Sequence, residues 1–119
     1  MIINENKTFT IKAYGEEMTM RLRKGEYACP KNTAIMLDCE TEYGWEPYEN
    51  LTVNISPLPK DYAAIDKNNL SDIWSEIEEL IKDNDLGEFT RHEFTSGFCK
   101  YHILKLNMQN IDKFCEGGM

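Results

Sequence analysis

The 119-residue chain has no Cys-x-x-Cys pair, only two histidines, no glycine-rich phosphate loop, no Gly-x-Ser-x-Gly and no His-Glu-x-x-His. A zinc knuckle needs clustered thiolate and imidazole ligands, and a phosphate cradle or nucleophile elbow needs its glycines, so these chemistries are excluded. No run approaches the roughly 18 consecutive apolar residues of a membrane span. The opening Met1-Ile2-Ile3-Asn4-Glu5-Asn6 lacks the basic and apolar regions of a signal peptide. These absences predict an intracellular, cytoplasmic protein without catalytic apparatus, metal or cofactor. In that compartment Cys29, Cys39, Cys99 and Cys115 are expected to be free thiols. The four Asn-x-Ser/Thr sequons, at Asn6, Asn50, Asn54 and Asn69, then carry no glycan.

Positive charge is also scarce. The net charge is −8, and it is unevenly spread. Residues 1–36 hold six Lys/Arg against four Asp/Glu, whereas residues 37–119 hold seven against seventeen. Such a field repels nucleic acid and anionic membranes and attracts basic proteins.

What is present reads as one α+β domain over residues 1–116, with a disordered tail at 117–119. Phe9, Ile11 and Ala13 alternate with polar neighbours, Tyr14-Gly15-Glu16-Glu17 is turn-like, and Met18, Met20 and Leu22 alternate again. That is a β-hairpin. Residues 33–39 predict a third strand, a turn-rich stretch surrounds Gly44 and Pro47, and Leu51, Val53 and Ile55 mark a fourth strand. Residues 62–65 suit a short fifth. Leu70, Ile73, Trp74, Ile77, Leu80 and Ile81 fall on one face of a helix over about 70–84, with Asn69 as N-cap and Gly87 placed to stop the helix or turn the chain after it. Two strands near 88–95 and 98–106 follow, hinged at 95–97, then one helical turn around Ile111 and Phe114. The expected architecture is a mostly antiparallel sheet of five to seven strands with the helix packed on one face.

The acidic residues are the candidates for a site. Asp72, Glu76, Glu79 and Asp83 form one stripe along the helix, opposite its apolar face. Like charges at this spacing destabilise a helix by about 0.2–0.5 kcal/mol per pair. A second cluster, Asp38, Glu40, Glu42, Glu46 and Glu49, contains no Lys or Arg and is interleaved with Tyr43, Trp45 and Tyr48. The ordinary reading of such surfaces is a solvated face that confers solubility. The functional reading is a surface for a basic protein, with carboxylates standing where phosphates would lie in a nucleic-acid groove. The aromatics serve either as interface anchors or as a loop folded onto the core.

Other constellations are weaker. Cys99 and His102 lie three apart on a strand and so face opposite sides, and a Cys-His pair would need His92 instead. Asp83-Asn84-Asp85-Leu86-Gly87 is similar to the start of a calcium loop. Its glycine is at the fifth position rather than the sixth, and Phe94 stands at the twelfth in place of Glu.

Leu51-Thr52-Val53-Asn54-Ile55, Ala64-Ile65-Asp66-Lys67-Asn68-Asn69, Asn84-Asp85-Leu86-Gly87 and Ser96-Gly97-Phe98-Cys99-Lys100-Tyr101 resemble a family of small proteins carried on conjugative elements and phages of Gram-positive gut bacteria. The resemblance covers residues 51–106 and brings no activity with it. It implies a mobile-element setting, in which small acidic proteins counter host restriction or CRISPR nucleases. Three readings follow. One is an acidic inhibitor of a nucleic-acid-binding defence enzyme, acting through Glu40, Glu42, Trp45, Glu46, Asp72, Glu76, Glu79 and Asp83. The second is an adaptor in conjugation or replication, binding through its aromatic loop. The third is a small enzyme using Cys99 or a carboxylate pair.

Overall fold

The computed structural model describes residues 1–117. The chain opens with β1 (Thr8–Ala13) and β2 (Glu16–Glu26), joined by a two-residue turn in which Tyr14 and Gly15 both have positive φ, 54° and 77°. That turn matches the twist of antiparallel strands, and glycine takes its second position without a Cβ clash. β3 (Thr33–Thr41) and β4 (Gly44–Asn50) complete a meander in the order β1-β2-β3-β4. β5 (Thr52–Val53), β6 (Tyr62–Ile65), β7 (Gly87–Ser96) and β8 (Cys99–Leu106) form a second antiparallel sheet, ordered β5-β6-β8-β7. Between them lies α1 (Trp74–Asp83), and α2 (Met108–Phe114) leads into β9 (Cys115–Gly117). β9 pairs in parallel with β2 at Leu22, Arg23 and Lys24, continuing the lane that β1 vacates after Arg21.

The fold is therefore broadly α+β and mostly antiparallel, but the described residues form nine strands in two sheets and two short helices rather than one sheet of five to seven strands. The stretch around Gly44 and Pro47, expected to be turns, is strand β4. Proline is tolerated there because β4 is an edge strand, and a bulge at Leu37/Asp38 offsets its register. Conversely, the expected strand at 51–55 shrinks to Thr52–Val53. Gly117 pairs with Lys24, and the rest of the tail expected to be disordered at 117–119 lies outside the described residues.

The helix starts later than its periodicity implies. Residues 67–73 form successive tight turns, opened by the Asp66 carboxylate, which accepts from the backbone N–H groups of Asn68 and Asn69. Ile73, not Asn69, is the N-cap, and it provides no side-chain bond. At the other end Gly87 does not stop the helix. Asp85 takes the left-handed conformation (φ 49°), with its N–H on Lys82 O at 3.3 Å and the Leu86 N–H on Ile81 O at 3.0 Å. This pair of bonds satisfies the last carbonyls, and buried Leu86 provides the apolar seal. Gly87 instead opens β7, where a Cβ would stand 2.7 Å from the Lys105 carbonyl oxygen.

One core joins the layers. Leu70, Ile73, Ile77, Leu80 and Ile81 lie in a single cluster with Phe9, Ile11, Met20, Leu22 and Leu37 of the first sheet and Ile65, Leu104 and Leu106 of the second. Trp74 sits at its margin, edge-on to Phe89 with ring centroids 5.7 Å apart.

Buried Asn84 ties the start of the chain to this helix. Its Oδ1 accepts from Ile3 N at 2.9 Å, and its Nδ2 donates to Met1 O and Leu80 O, both at 2.9 Å. Replacing Asn84 with Ala leaves the Ile3 N–H buried without a partner. The expected loss is about 2 kcal/mol of stability, read from urea unfolding at an unchanged slope.

Candidate functional site

The two acidic groups differ in how far the fold has already used them. In the β2–β3 register Arg21 stands opposite Asp38, with Arg23 two residues along on the same outer face. Asp38 is buried at 2% exposure, and its Oδ2 accepts from Arg21 Nε at 3.1 Å and Arg23 Nε at 3.0 Å. The Arg21 guanidinium also lies 4.6 Å from the centroid of the Trp45 ring. The second cluster thus has cations after all, delivered from a neighbouring strand. Asp38 is a structural carboxylate, and Trp45 is a half-buried platform for Arg21.

The rest of the hairpin faces water. Glu42 and Tyr43 form its two-residue turn, held by Tyr43 N donating to Thr41 Oγ1 at 3.1 Å and by Thr41 Oγ1 donating to Gly44 O at 3.0 Å. Glu40, Glu42, Tyr43, Glu46 and Tyr48 are exposed, and Glu49 is half-buried. Among the described residues no strand pairs with the outer side of β4.

The helix stripe is more dispersed. Asp72 precedes α1 and accepts a hydrogen bond from the Tyr14 hydroxyl, which raises the Tyr14 pKa above its ordinary value. Asp83 accepts from the terminal ammonium of Met1, and Glu79 lies 3.5 Å from the same group. The hydrogen bond to Asp83 is the main cause of the raised pKa of that ammonium. Glu76 is half-buried in a shallow cleft with Thr10, Lys12 and Glu17. Of the four stripe carboxylates, three have a partner within the chain.

Among the described residues no group of three or more His, Cys, Asp and Glu side chains is arranged to hold a metal ion. No helix there is long and apolar enough to cross a membrane. Cys99 pairs with Ser96 and His102 with Glu93, on opposite faces of β8. A cleft of about 760 Å³ is lined by Lys7, Lys24, Lys60, Asp112 and Cys115, and Lys24 is engaged by Asp112 at 2.6 Å. Burial pushes the Cys115 thiol up to about 12, well away from a neutral-pH nucleophile.

One feature was not anticipated. Beyond Phe89, the β7–β8 ribbon projects from the second sheet, with Arg91–Thr95 and Gly97–Lys100 all exposed. Its signal in the sequence was the absence of an apolar alternation that a core-packed strand would need, with Phe94, Phe98 and Tyr101 set among Arg91, His92 and Lys100.

The chain belongs to a family described as a domain of unknown function (DUF4313), which it matches over residues 19–119. The match reaches well beyond residues 51–106. No curated protein and no solved structure matches the chain.

Two outcomes follow from this geometry. Asp38→Ala leaves two arginines without their carboxylate and lowers stability by about 2 kcal/mol, whereas Glu42→Ala and Glu46→Ala stay within about 0.5 kcal/mol, all read from urea titration. A thiol reagent at neutral pH, followed by peptide mass spectrometry, labels exposed Cys29 and Cys99 at similar rates and Cys115 only after unfolding. A Cys99 rate far above that of Cys29 would instead favour a thiol enzyme.

Proposed function

We propose that this member of the family is a non-catalytic binding protein whose β3–β4 hairpin docks on a basic protein surface. One observation carries the reading: Glu40, Glu42 and Glu46 are exposed beside Tyr43 and Tyr48 on a hairpin whose outer edge is unpaired. Carboxylates steer encounter with a cationic surface, and tyrosines add contact area at low entropic expense. The helix stripe is the secondary part of this surface, because Asp72, Glu79 and Asp83 already have partners.

In its finer form, the partner is a nucleic-acid-binding nuclease of host defence, of the CRISPR effector or restriction type. The hairpin then lies in the channel that otherwise holds phosphates. Support comes from the charge, which repels nucleic acid itself, and from the mobile-element setting that the sequence resemblance implies. A second reading, an adaptor in conjugation or replication of such an element, is favoured by the open edge of β4, which offers its backbone to a partner strand.

The test is affinity capture from the source cells at low and high salt, with the captured protein identified by mass spectrometry. The expected capture is a nuclease whose binding is weakened by salt and by competing duplex DNA. Glu42→Lys with Glu46→Lys should weaken binding at least tenfold, which corresponds to about 1.4 kcal/mol, and Glu76→Lys with Glu79→Lys should weaken it less. Binding that survives the hairpin reversals but is lost with Trp45→Ala would favour the adaptor. Survival of all three changes would sink both readings.

A further inference from the structure

Among the described residues, four of the six exposed large apolar side chains lie on two hairpins: Tyr43 and Tyr48 on β3–β4, Phe94 and Phe98 on the β7–β8 arm. The two differ in charge. From residue 90 to 102 the arm carries Arg91 and Lys100 against one carboxylate, Glu93, in a chain of net charge −8. The β3–β4 hairpin carries Glu40, Glu42, Glu46 and Glu49, tempered only by Arg21 stacking on Trp45 from β2.

The arm is also poorly supported by its own domain. β6 pairs with β8 only from Lys105 to His102, so the pairs from Phe94↔Tyr101 to Ser96↔Cys99 stand as a two-stranded ribbon. Such a ribbon is marginal in water unless something packs on it. Phe98 at its tip is fully exposed. The β7 edge of the arm is not the docking element. Three residues, Thr90 to His92, stand opposite Ile103, and the His92 N–H turns inward to Thr90 Oγ1 at 3.1 Å, blunting that edge. That leaves the exposed side chains of the arm, with the short β8 edge from Cys99 to Tyr101, to engage a partner. Phe94 and Tyr101 share one face of the ribbon and Lys100 lies on the other, so the fitting surface receives the tip from both sides with aromatic and acidic side chains, and the β3–β4 hairpin carries both kinds. Within one chain the two belong to different sheets, and no hydrogen bond or ion pair among the described residues connects them.

We infer that the occupant is a second copy of this chain, the arm of each copy packing on the β3–β4 hairpin of the other. A two-fold arrangement satisfies both arms and both hairpins at once and closes on itself. Because the same hairpin is assigned to the partner, the dimer holds it covered, and partner binding competes with self-association. The self-association is tested with no partner present, so it and the partner reading can fail separately.

The test is sedimentation equilibrium of the full chain from micromolar to near-millimolar concentration. A monomer–dimer equilibrium weakened by salt is expected, shifted at least tenfold toward monomer by Phe98→Ser with its thermal midpoint unchanged. Arg91→Glu with Lys100→Glu, and separately Glu42→Lys with Glu46→Lys, should each be monomeric alone. Mixed together they should dimerise, because each arm then meets a hairpin of opposite sign while both variants remain net negative. A chain that is monomeric at every concentration, a dimer indifferent to the arm substitutions, or a mixture that fails to associate would each overturn the inference.

Discussion

The apolar stripe of α1 is the constraint on which the rest of the structure depends. Neither sheet has a core of its own: their inward side chains meet in one cluster around Ile77, Leu80 and Ile81. A chain of this size has surface enough to bury only one such core, so the helix must serve both sheets at once. Its ends are fixed accordingly. The Asp66 turn sets where it starts, and left-handed Asp85 sets where it stops and sends the chain straight into β7. Asn84, one residue past the last turn, anchors the first residues of the chain against the same helix end.

That arrangement decides which charges remain available. Holding the start of the chain beside α1 brings the terminal ammonium to Glu79 and Asp83. Placing the β1–β2 turn near the helix start brings Tyr14 to Asp72. Antiparallel pairing of β2 with β3 puts two arginines on Asp38. Asp38, Asp72, Glu79 and Asp83 are thus neutralised or hydrogen-bonded within the chain. On the β3–β4 hairpin Glu40, Glu42 and Glu46 stay exposed, and the outer edge of β4 is unpaired among the described residues. Charge and unpaired backbone coincide there, and this is why the hairpin rather than the helix leads the functional reading.

Much of the fold was legible because it is local. Alternation at Phe9, Ile11, Met20 and Leu22, the Tyr14-Gly15 turn, the six-residue apolar stripe and the strands flanking Gly97 all report short-range periodicity or turn chemistry, and each element exists. The misreadings share a cause. Pro47 argues against a strand only if the strand is central, and whether β4 lies at an edge is not a local property. Asn69 is a good cap by type, but it lies within the run of turns at 67–73 and the helix begins only after Ile73. The site was legible by residue type but not by role: Asp38 and Glu46 look alike in a list of acids, yet one is 2% exposed beneath two arginines and the other faces solvent.

The sequence by itself determined the helix face, the hairpins and the acidic balance. These depend on spacing within a few residues and on composition, which need no knowledge of what lies across the core. Only the tertiary structure decided that there are two sheets, that Arg21 and Arg23 serve Asp38, that the helix stripe is partly spoken for, and that the β7–β8 arm stands free. Each of those is a relation between residues far apart in the chain. Such relations are set by burial of one shared core, a collective quantity that no local pattern encodes.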